Sequence, residues 1–436
     1  MMRIFATLFS LVFLTIPAQA EVKIEEVISP GGIKAWLVQE PSIPFMALEI
    51  RFRGGASLDA PDKRGAIYLM TGLLEEGTGD LDSRGFAKEV EGLAASFGYD
   101  TGDDAARISG RFLTENRDEA VELLRRSLLE PSFNQPDIDR VREQVLSGLR
   151  SDAQDPNNIA RLEWDSKTYG DHPYGSAFKG TVESVEALTR DDIVAAHSAV
   201  FAKDRIYVGA VGDITPEELG PMLDKLLGDL PDTGAAMPVQ ADLQIEGGLH
   251  VTEFDTPQSV AIFGHSGIDQ DDPDFFAARI LNQVLGAGGF ESRLTTEVRE
   301  KRGLTYGVYS YLASQDLAAT VQGQVASAND RIGQAIEVIK DEWAKAANEG
   351  ITQKELDAAK TYVTGAYPLN FSGNGQIARI MVGMQMLGLP IDYIATRNEK
   401  VEAVTLEDTN RVAAYLLQPD NLMFVVVGKP EGLSAN

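Results

Sequence analysis

Two stretches, LTRDDIVAAHSAVFAKDRIYVGAVGD (residues 188–213) and VTLEDTNRVAAYLLQPDNLMFVVVGK (residues 404–429), follow one pattern. In each, a threonine (Thr189 or Thr405) precedes acidic residues and a helical run, and a strand-like run then ends in Val-Gly. Threonine is a favoured N-cap, and acidic residues in the first turn stabilise a helix through its dipole. Each stretch therefore predicts a helix followed by a strand, and the chain contains this unit twice.

A second pair of stretches repeats at nearly the same separation. SIPFMALEIRFRGGAS (42–57) is echoed by DTPQSVAIFGHSGID (255–269), which indicates a duplicated structural unit. The chain has 436 residues, and single cores rarely grow beyond about 250–300 residues. We therefore predict two tandem homologous domains, residues 21–230 and 249–436. The linker between them, 231–248, is rich in proline, glycine and alanine.

Helical and strand-like patterns alternate within the first domain. Apolar residues recur at helical spacing in GFAKEVEGLAASFG (85–98) and ENRDEAVELLRRSLLE (115–130). Between them, YDTGDDAARISGRFL (99–113) alternates like a strand. This mixture predicts the α+β class, with an antiparallel-rich sheet in each domain covered by helices on one face.

The first twenty residues predict a secretory signal peptide. Arg3 supplies the positive start, residues 4–16 the apolar stretch, and Ala-Gln-Ala at 18–20 the cleavage site. The apolar run is shorter than the roughly 20 residues that a membrane span needs. We expect a mature protein that begins near Glu21, in the periplasm of a Gram-negative bacterium.

Composition excludes several classes of function. The chain has no cysteine, which rules out disulfides, thiolate catalysis and cysteine-bound zinc. Its net charge of −27 argues against nucleic acid and against anionic membranes as partners. The same charge is explained either by solubility alone or by a preference for basic or neutral peptides.

Three longer stretches carry a family resemblance that covers nearly the whole mature chain. They are RGGASLDAPDKRGAIYLMTGLLEEGT (53–78), YGDHPYGSAFKGTVESVEALTRDDIVAAH (169–197) and LNQVLGAGGFESRLTTEVREKRGLTYGVYS (281–310). In order and spacing they resemble the pitrilysin/insulinase family of zinc metallopeptidases, in particular its processing-peptidase-like branch. The resemblance implies the tandem metallopeptidase fold that is named after LuxS and the processing peptidases.

The resemblance also implies that the zinc site is degenerate. Active members carry His-x-x-Glu-His on a helix, where two histidines bind zinc and the glutamate acts as general base. Alignment on the following Gly-Thr puts these three functional positions at Tyr68, Thr71 and Gly72. The family's later glutamate ligand falls on Gly148. We therefore expect this chain to bind no cofactor, and we expect zinc in a partner subunit.

Other candidate polar residues have simpler interpretations. The chain has only four histidines, and no two share helical ligand spacing: His172, His197, His250 and His265. Glu75 and Glu76 could suggest an acid/base pair, but adjacent residues of a helix do not face one another. We interpret them as the polar end of a helix before Gly77.

The second half retains what the first half has lost. RLTTEVREKRGLTY matches the family's C-terminal signature, in which an arginine and a tyrosine reach toward the catalytic zinc; here they are Arg299 and Tyr306. The alternative is a surface arginine and a core tyrosine. Upstream, Gly286, Gly288 and Gly289 resemble the flexible loop that family members use near the substrate entrance, although a plain turn would have the same composition.

This combination resembles the non-catalytic subunit of a heterodimeric zinc peptidase. Such a subunit supplies Arg299 and Tyr306 in trans to a homologous, zinc-bearing chain, and the peptide substrate adds a strand to a sheet edge. The protein would then be inactive alone. The alternative is a stand-alone peptide-binding or chaperone-like periplasmic protein without proteolytic activity. A homodimer would lack zinc altogether, and no motif supports a new catalytic chemistry.

Overall fold

The computed structural model describes residues 23–433. The predicted signal peptide, residues 1–20, lies outside the described residues. Within residues 23–433, none of the helices combines the length and the apolar character needed to cross a membrane.

The first half of the chain builds a six-stranded sheet. The strands of this half are β1 (Glu25–Ile28), β2 (Lys34–Gln39), β3 (Phe45–Arg53), β4 (Gly77–Thr78), β5 (Leu81–Asp82), β6 (Ser96–Thr101), β7 (Ala105–Leu113) and β8 (Ile206–Gly212). β4 and β5 pair with each other as a short ribbon, and the others form the sheet in the order β1-β2-β8-β3-β7-β6. The β2–β8 pair is parallel, and all other neighbours in this sheet are antiparallel.

Helices of the first half cover the sheet and provide the walls of the site described below. They are α1 (Ala66–Gly72), α2 (Ser83–Gly92), α3 (Arg117–Leu129), α4 (Gln135–Asp152), α5 (Pro156–Tyr169), α6 (Val182–Glu186), α7 (Arg190–Val200) and α8 (Pro216–Leu227). Side chains from α1, α3, α7 and α8 pack with β2, β3, β7 and β8 in one core.

The second half repeats this plan in a five-stranded sheet. Its strands are β9 (Gly248–Glu253), β10 (Gln258–Ser266), β11 (Val308–Gln315), β12 (Ala318–Ala328) and β13 (Met423–Gly428). Their spatial order is β9-β13-β10-β12-β11, with only the β9–β13 pair parallel. Strand for strand, this order matches β2-β8-β3-β7-β6 of the first sheet, so the predicted duplication is visible in the topology.

The helices of the second half are α9 (Phe275–Asn282), α10 (Ile332–Glu349), α11 (Gln353–Ala366), α12 (Asn374–Met386), α13 (Tyr393–Ala403) and α14 (Leu406–Leu416). Two π-helical turns, Gln283–Ala287 and Thr295–Glu300, separate α9 from β11. The core of this half lies between β10, β11, β12 and β13 on one side and α9, α10, α11 and α14 on the other.

The repeated sequence unit forms the same structure in both halves. α7 leads into β8, and α14 leads into β13. Thr189 and Thr405 are the N-caps, and each forms a capping box with the aspartate three residues later. The predicted α+β class with two homologous domains is confirmed.

The two halves exchange one helix each. α5 lies against β10 and β13 of the second sheet, and α12 lies against β3 and β8 of the first. Trp164 of α5 is fully buried among valines and isoleucines of the second sheet. Met381 of α12 is buried against Trp36 and Val211 of the first. Each sheet is therefore covered on its second face by a helix from the other half.

The predicted linker runs without helix or strand over residues 231–247, and Gly248 then begins β9. It is pinned along its length, because the amide of Ala241 donates to the Leu317 carbonyl and that of Gln244 donates to Thr168. The exchange of α5 and α12 means that the boundary along the sequence is not the boundary of packing in space.

Candidate functional site

One cavity is lined by all four residues that align with the zinc ligands and the general base of active family members. It has a volume of about 290 Å³ and is lined by residues of α1, α4 and β6. Tyr68, Thr71 and Gly72 line it from α1, and Gly148 lines it from α4. We call this cavity the α1–α4 pocket. The fold therefore brings together positions that are widely separated in sequence.

The start of α1 is fixed by backbone contacts beside this pocket. The Asp59 carboxylate accepts hydrogen bonds from the amides of Gly65 (2.8 Å) and Ile67 (2.9 Å). Burial raises the pKa of Asp59 to about 6, although these bonds oppose the shift. Gly65 has φ of 94°, and a Cβ there would lie 2.5 Å from the Lys179 carbonyl oxygen. Only glycine fits this approach, so α1 has one orientation relative to the pocket.

The side chains at the four positions do not fit a zinc ion. The buried Thr71 hydroxyl donates to the Ile67 carbonyl of its own helix at 2.8 Å. Tyr68 packs edge-on against Phe178, and the two glycines have no side chain. Zinc sites use imidazole, carboxylate or thiolate, and none of these stands here. Among residues 23–433, no group of three or more histidine, aspartate or glutamate side chains is arranged to hold a metal ion.

The histidines are dispersed in structural roles. Three of them have a ring nitrogen within hydrogen-bonding distance of a backbone carbonyl: His172 with Val239, His197 with Leu128, and His265 with Ser266. Burial lowers the pKa of all four histidines, which favours their neutral forms. A buried neutral ring that is hydrogen-bonded to the backbone contributes to packing.

The interpretation of Glu75 and Glu76 as a helix end was wrong. α1 ends at Gly72, and both glutamates follow in a turn and line the pocket. Arg140 of α4 binds Glu76 with two hydrogen bonds, of 2.9 and 2.6 Å. Glu75 has no hydrogen-bond or ion-pair partner among the described side chains. Its pKa is raised by partial burial and then by the charge of Glu76.

The pocket opens onto an unpaired sheet edge. β6 is the last strand of the first sheet and pairs only with β7 among the described strands. Tyr99, Asp100 and Thr101 of β6 also line the pocket. An outer strand edge presents free N–H and C=O groups to which an extended peptide can pair. A bound peptide strand would therefore run past the mouth of the pocket.

Arg299 lies on the second π-helical turn, in the other half of the molecule. Its guanidinium stacks over the Phe290 ring with 4.9 Å to the ring centroid. This ring belongs to the glycine-rich segment, so the segment and Arg299 form one unit. π-helical turns are rare and recur at functional sites.

Tyr306 lies in an irregular stretch ahead of β11 and is 86% exposed. The alternative that placed it in the core is therefore excluded. Arg299 is half-buried, with its charged end against Phe290. Both side chains are therefore accessible from solvent.

Different structural constraints explain the three glycines of this segment. Gly286 is buried, and a Cβ there would lie 2.2 Å from the Ser310 hydroxyl of β11. A Cβ on Gly288 would lie 2.6 Å from the Gln283 carbonyl oxygen. Gly289 is exposed, has φ of 57°, and faces open space. Close packing thus accounts for the first two, and a left-handed turn accounts for the third.

Comparison with protein families gives two matches along the chain. The model described as insulinase (peptidase family M16) matches residues 34–182, and the one described as peptidase M16 inactive domain matches residues 187–363. The first match contains the α1–α4 pocket, and the second contains Arg299 and Tyr306.

Several relatives and solved structures are similar over nearly their full length. A non-peptidase homolog, YmxG, of Helicobacter pylori is 27% identical over 94% of this chain and 95% of its own. An uncharacterized zinc protease, also named YmxG, of Bacillus subtilis is 23% identical over 91% and 96%. A crystal structure described as a peptidase M16 inactive domain, from Pseudomonas fluorescens, superposes with a TM-score of 0.88 at 28% identity, over 95% of this chain and 99% of its own.

A protease structure from Helicobacter pylori shares the fold, with a TM-score of 0.83 and 18% identity over 93% of this chain and 99% of its own. The family matches cover both halves, and the architecture agrees with that of the solved relatives. The chain therefore belongs to the insulinase, or M16, family of peptidases.

Proposed function

We propose that this protein is the non-catalytic subunit of a heterodimeric zinc peptidase. One paired observation carries the proposal. The four residues that align with the zinc ligands and the general base line one pocket, and none of them has an imidazole or a carboxylate. Arg299 and Tyr306, in the other half of the chain, are accessible. The non-peptidase homolog of Helicobacter pylori and the inactive-domain structure of Pseudomonas fluorescens agree with a non-catalytic member of the family.

Arg299 and Tyr306 would act in trans on a substrate held at the partner's metal. The guanidinium is a planar set of donors suited to a peptide carbonyl or carboxylate, and the phenol donates to a developing oxyanion. The homologous partner would supply His-x-x-Glu-His and its zinc, whereas this chain would bind no metal. Removal of a single oxyanion donor in other enzymes costs about 10²–10³ in rate. This is the contribution that the proposal assigns to the pair.

Peptide binding on this chain would use the outer edge of β6. Backbone pairing gives affinity with little sequence preference, which suits short or unfolded segments. The signal peptide predicted from residues 1–20 supports a periplasmic location for the complex. Of the three glycines, Gly289 is exposed with open space around it, and it would allow the segment beside Arg299 to approach the substrate backbone, whereas Gly286 and Gly288 are needed for internal packing.

A stand-alone peptide-binding protein is the second candidate. It is favoured by the fact that the β6 edge and the α1–α4 pocket both belong to this one chain. A second exposed edge, β11, carries the stacked rings of Tyr309 and Tyr311, whose centroids lie 6.2 Å apart. These rings would suit an unfolded client without any partner subunit.

The deciding experiment mixes this chain with a secreted homologue that carries His-x-x-Glu-His. Peptidase activity is measured for each chain alone and for the mixture, and bound zinc is quantified in every sample. We expect no zinc and no turnover from this chain alone, and turnover that appears or rises at least tenfold on mixing.

Three outcomes lead to different conclusions. Zinc or cleavage by the purified chain alone would contradict the proposal. No turnover on mixing with a folded, zinc-loaded partner would favour the stand-alone binder. A partner whose own histidine-to-alanine variant still gives turnover on mixing would show that the metal site of the pair lies elsewhere.

A further inference from the structure

The α1–α4 pocket has an unbalanced charge. Four charged side chains line it, and two of them are neutralised by residues outside it: Glu76 by Arg140 and Lys179 by Asp152. Glu75 has no ion-pair partner within residues 23–433, and Asp100 stands between the inward-facing Tyr99 and Thr101 of β6, so its side chain projects to the opposite face of the strand. The cavity therefore presents one uncompensated carboxylate, that of Glu75, and no uncompensated cation.

The pocket also has space that no side chain of this chain fills. A Cβ on Gly148 would meet no atom within 4 Å, and a Cβ on Gly72 would meet only Val141, at 3.3 Å. Sites for drug-sized ligands have volumes of about 300–1,000 Å³. A volume of about 290 Å³ is at the lower end of that range and suits a single long side chain.

Two aromatic side chains also line the pocket. Tyr68 and Tyr99 both line the pocket, and ring faces attract ammonium and guanidinium groups. The Tyr99 hydroxyl forms a hydrogen bond of 2.5 Å with the Ser127 hydroxyl, and this bond holds the tyrosine ring in place. The position of the pocket beside β6 means that a peptide strand paired to that edge can direct a side chain into it.

We infer that the α1–α4 pocket is a binding subsite for a lysine or arginine side chain of a peptide paired to β6, with Glu75 as its anionic partner. The inference deepens the proposed function by naming a class of substrate. Of the two explanations given for the net charge of −27, the inference favours a preference for basic peptides over solubility alone. Glu75 then has a clear role, since a bound cation would pair a carboxylate that no side chain of residues 23–433 pairs.

The test uses the purified full-length mature chain alone, so that it does not depend on a partner subunit. Fluorescent nine-residue peptides, capped at both ends, differ only at the central residue: arginine, lysine, norleucine or glutamate. Anisotropy titrations at low salt give the affinities. We expect the arginine and lysine peptides to bind at least tenfold more tightly than the norleucine peptide, and the glutamate peptide to bind most weakly.

Three variants separate the subsite from a structural effect. Glu75→Gln should reduce the preference for arginine over norleucine to less than threefold, and Glu75→Lys should make glutamate the preferred central residue. Glu91→Gln, on exposed α2, removes the same charge elsewhere and should leave the preference unchanged. Gly148→Met fills the cavity at an exposed helical position and should weaken binding of the arginine peptide at least tenfold.

Equal affinity for all central residues would overturn the inference, and so would a preference that survives Glu75→Gln. An absence of peptide binding by the chain alone would do the same, because the edge and the pocket both belong to this chain. Each result is independent of turnover on mixing, which tests the heterodimer.

Discussion

Thr71 occupies the position at which active family members have the glutamate that acts as general base. Its hydroxyl is buried and bonded to the carbonyl one turn earlier in α1, so it contributes to the helix and not to solvent chemistry. Tyr68 packs edge-on against Phe178, and Gly72 and Gly148 place no side chain in the pocket. The helix that carries three of these positions is regular and anchored at its start, so what is missing for zinc is the ligating side chains.

Restoring those side chains should therefore restore a metal site. We expect the variant Tyr68→His, Thr71→Glu, Gly72→His, Gly148→Glu to bind one zinc ion per chain at micromolar free zinc. Zinc should then raise its melting temperature, because a ligand that binds only the folded state stabilises it. The measurement is zinc titration with bound metal quantified after gel filtration.

The matched control for this variant keeps Gly148, so that one carboxylate ligand is missing. It should bind zinc at least tenfold more weakly than the full set, since structural and catalytic sites need three protein ligands or more. Equal affinity of the two variants, or none for either, would mean that α1 and α4 are not aligned as the pocket indicates.

Arg299 and Tyr306 can be tested at the same scale in the reconstituted complex. Arg299→Ala and Tyr306→Phe should each lower kcat/KM about 10²-fold, with the loss mainly in kcat if the contact forms in the transition state. Steady-state kinetics on one peptide substrate measure the effect. The controls are Arg302→Ala, whose guanidinium is bound to Glu297, and Tyr415→Phe, an exposed tyrosine of α14. Unchanged kinetics in both test variants would remove the proposed role.

The sequence could indicate the α1 positions because a fixed spacing to Gly-Thr defines them. It could not assign Glu75 to the pocket. The run LLEE continues the apolar pattern of α1 and then becomes polar, a change that is also typical of the end of a helix. Whether the chain leaves the helix at Gly72 or at Glu76 depends on how the next residues pair, and β4 begins at Gly77. Short-range pattern does not contain that information.

At the scale of elements, the exchange of α5 and α12 joins the two halves through apolar packing. Trp164 and Trp343 are both fully buried, but only Trp343 has a hydrogen-bond partner, His265 Nε2 at 3.0 Å. Within the described residues, the indole nitrogen of Trp164 has none. Trp164 therefore contributes to the contact between halves through packing alone.

Trp164→Ala should destabilise the protein by about 3–5 kcal/mol, the usual cost of emptying a large core site. Urea unfolding monitored by circular dichroism measures the loss. Trp164→Phe should cost much less, because it keeps most of the packing and removes an unpaired donor. Trp343→Phe should cost more than Trp164→Phe, since it leaves the His265 nitrogen without its donor. The reverse order would contradict the assignment of these two contacts.

The sequence could predict the duplication from its repeated stretches, and the two sheets and the threonine N-caps from local pattern. It could not predict the exchange of helices. The apolar positions of α5, such as Ala160 and Trp164, show that one face is buried but not which sheet buries it. A choice between two nearly equivalent sheets depends on chain connectivity across the whole molecule.

At the scale of the whole molecule, the tip of the β11–β12 hairpin fastens the second half to the first. The amide of Asp316 donates to the Asp104 carboxylate at 3.2 Å, and the Asp316 carboxylate lies 3.0 Å from Arg53 Nε. The Leu317 amide donates to the Tyr174 hydroxyl, which in turn is bonded to Asp104. Two carboxylates thus share one buried junction with one nearby arginine.

This junction predicts a stability that falls as pH rises. Burial, and then the charge of Asp104, raise the pKa of Asp316 to about 6, although Arg53 opposes the shift. The folded state therefore binds more protons than the unfolded state between pH of about 4 and 6, so its free energy of unfolding decreases across that window. Asp165, with a pKa raised to about 7 by burial and by Asp103, acts in the same direction.

Asp316→Asn should remove part of this dependence. The amide keeps an acceptor for Arg53 and cannot ionise, so the variant should melt about 2–4 °C above the wild type at pH 7.5 and level with it at pH 4.5. Asp330→Asn, an exposed aspartate ahead of α10, removes the same charge and corrects for the general relief of a chain with net charge −27. If the two variants show the same pH profile, the effect is net charge alone. If only the Asp316 variant flattens the profile, the hairpin junction is where the two halves respond to pH.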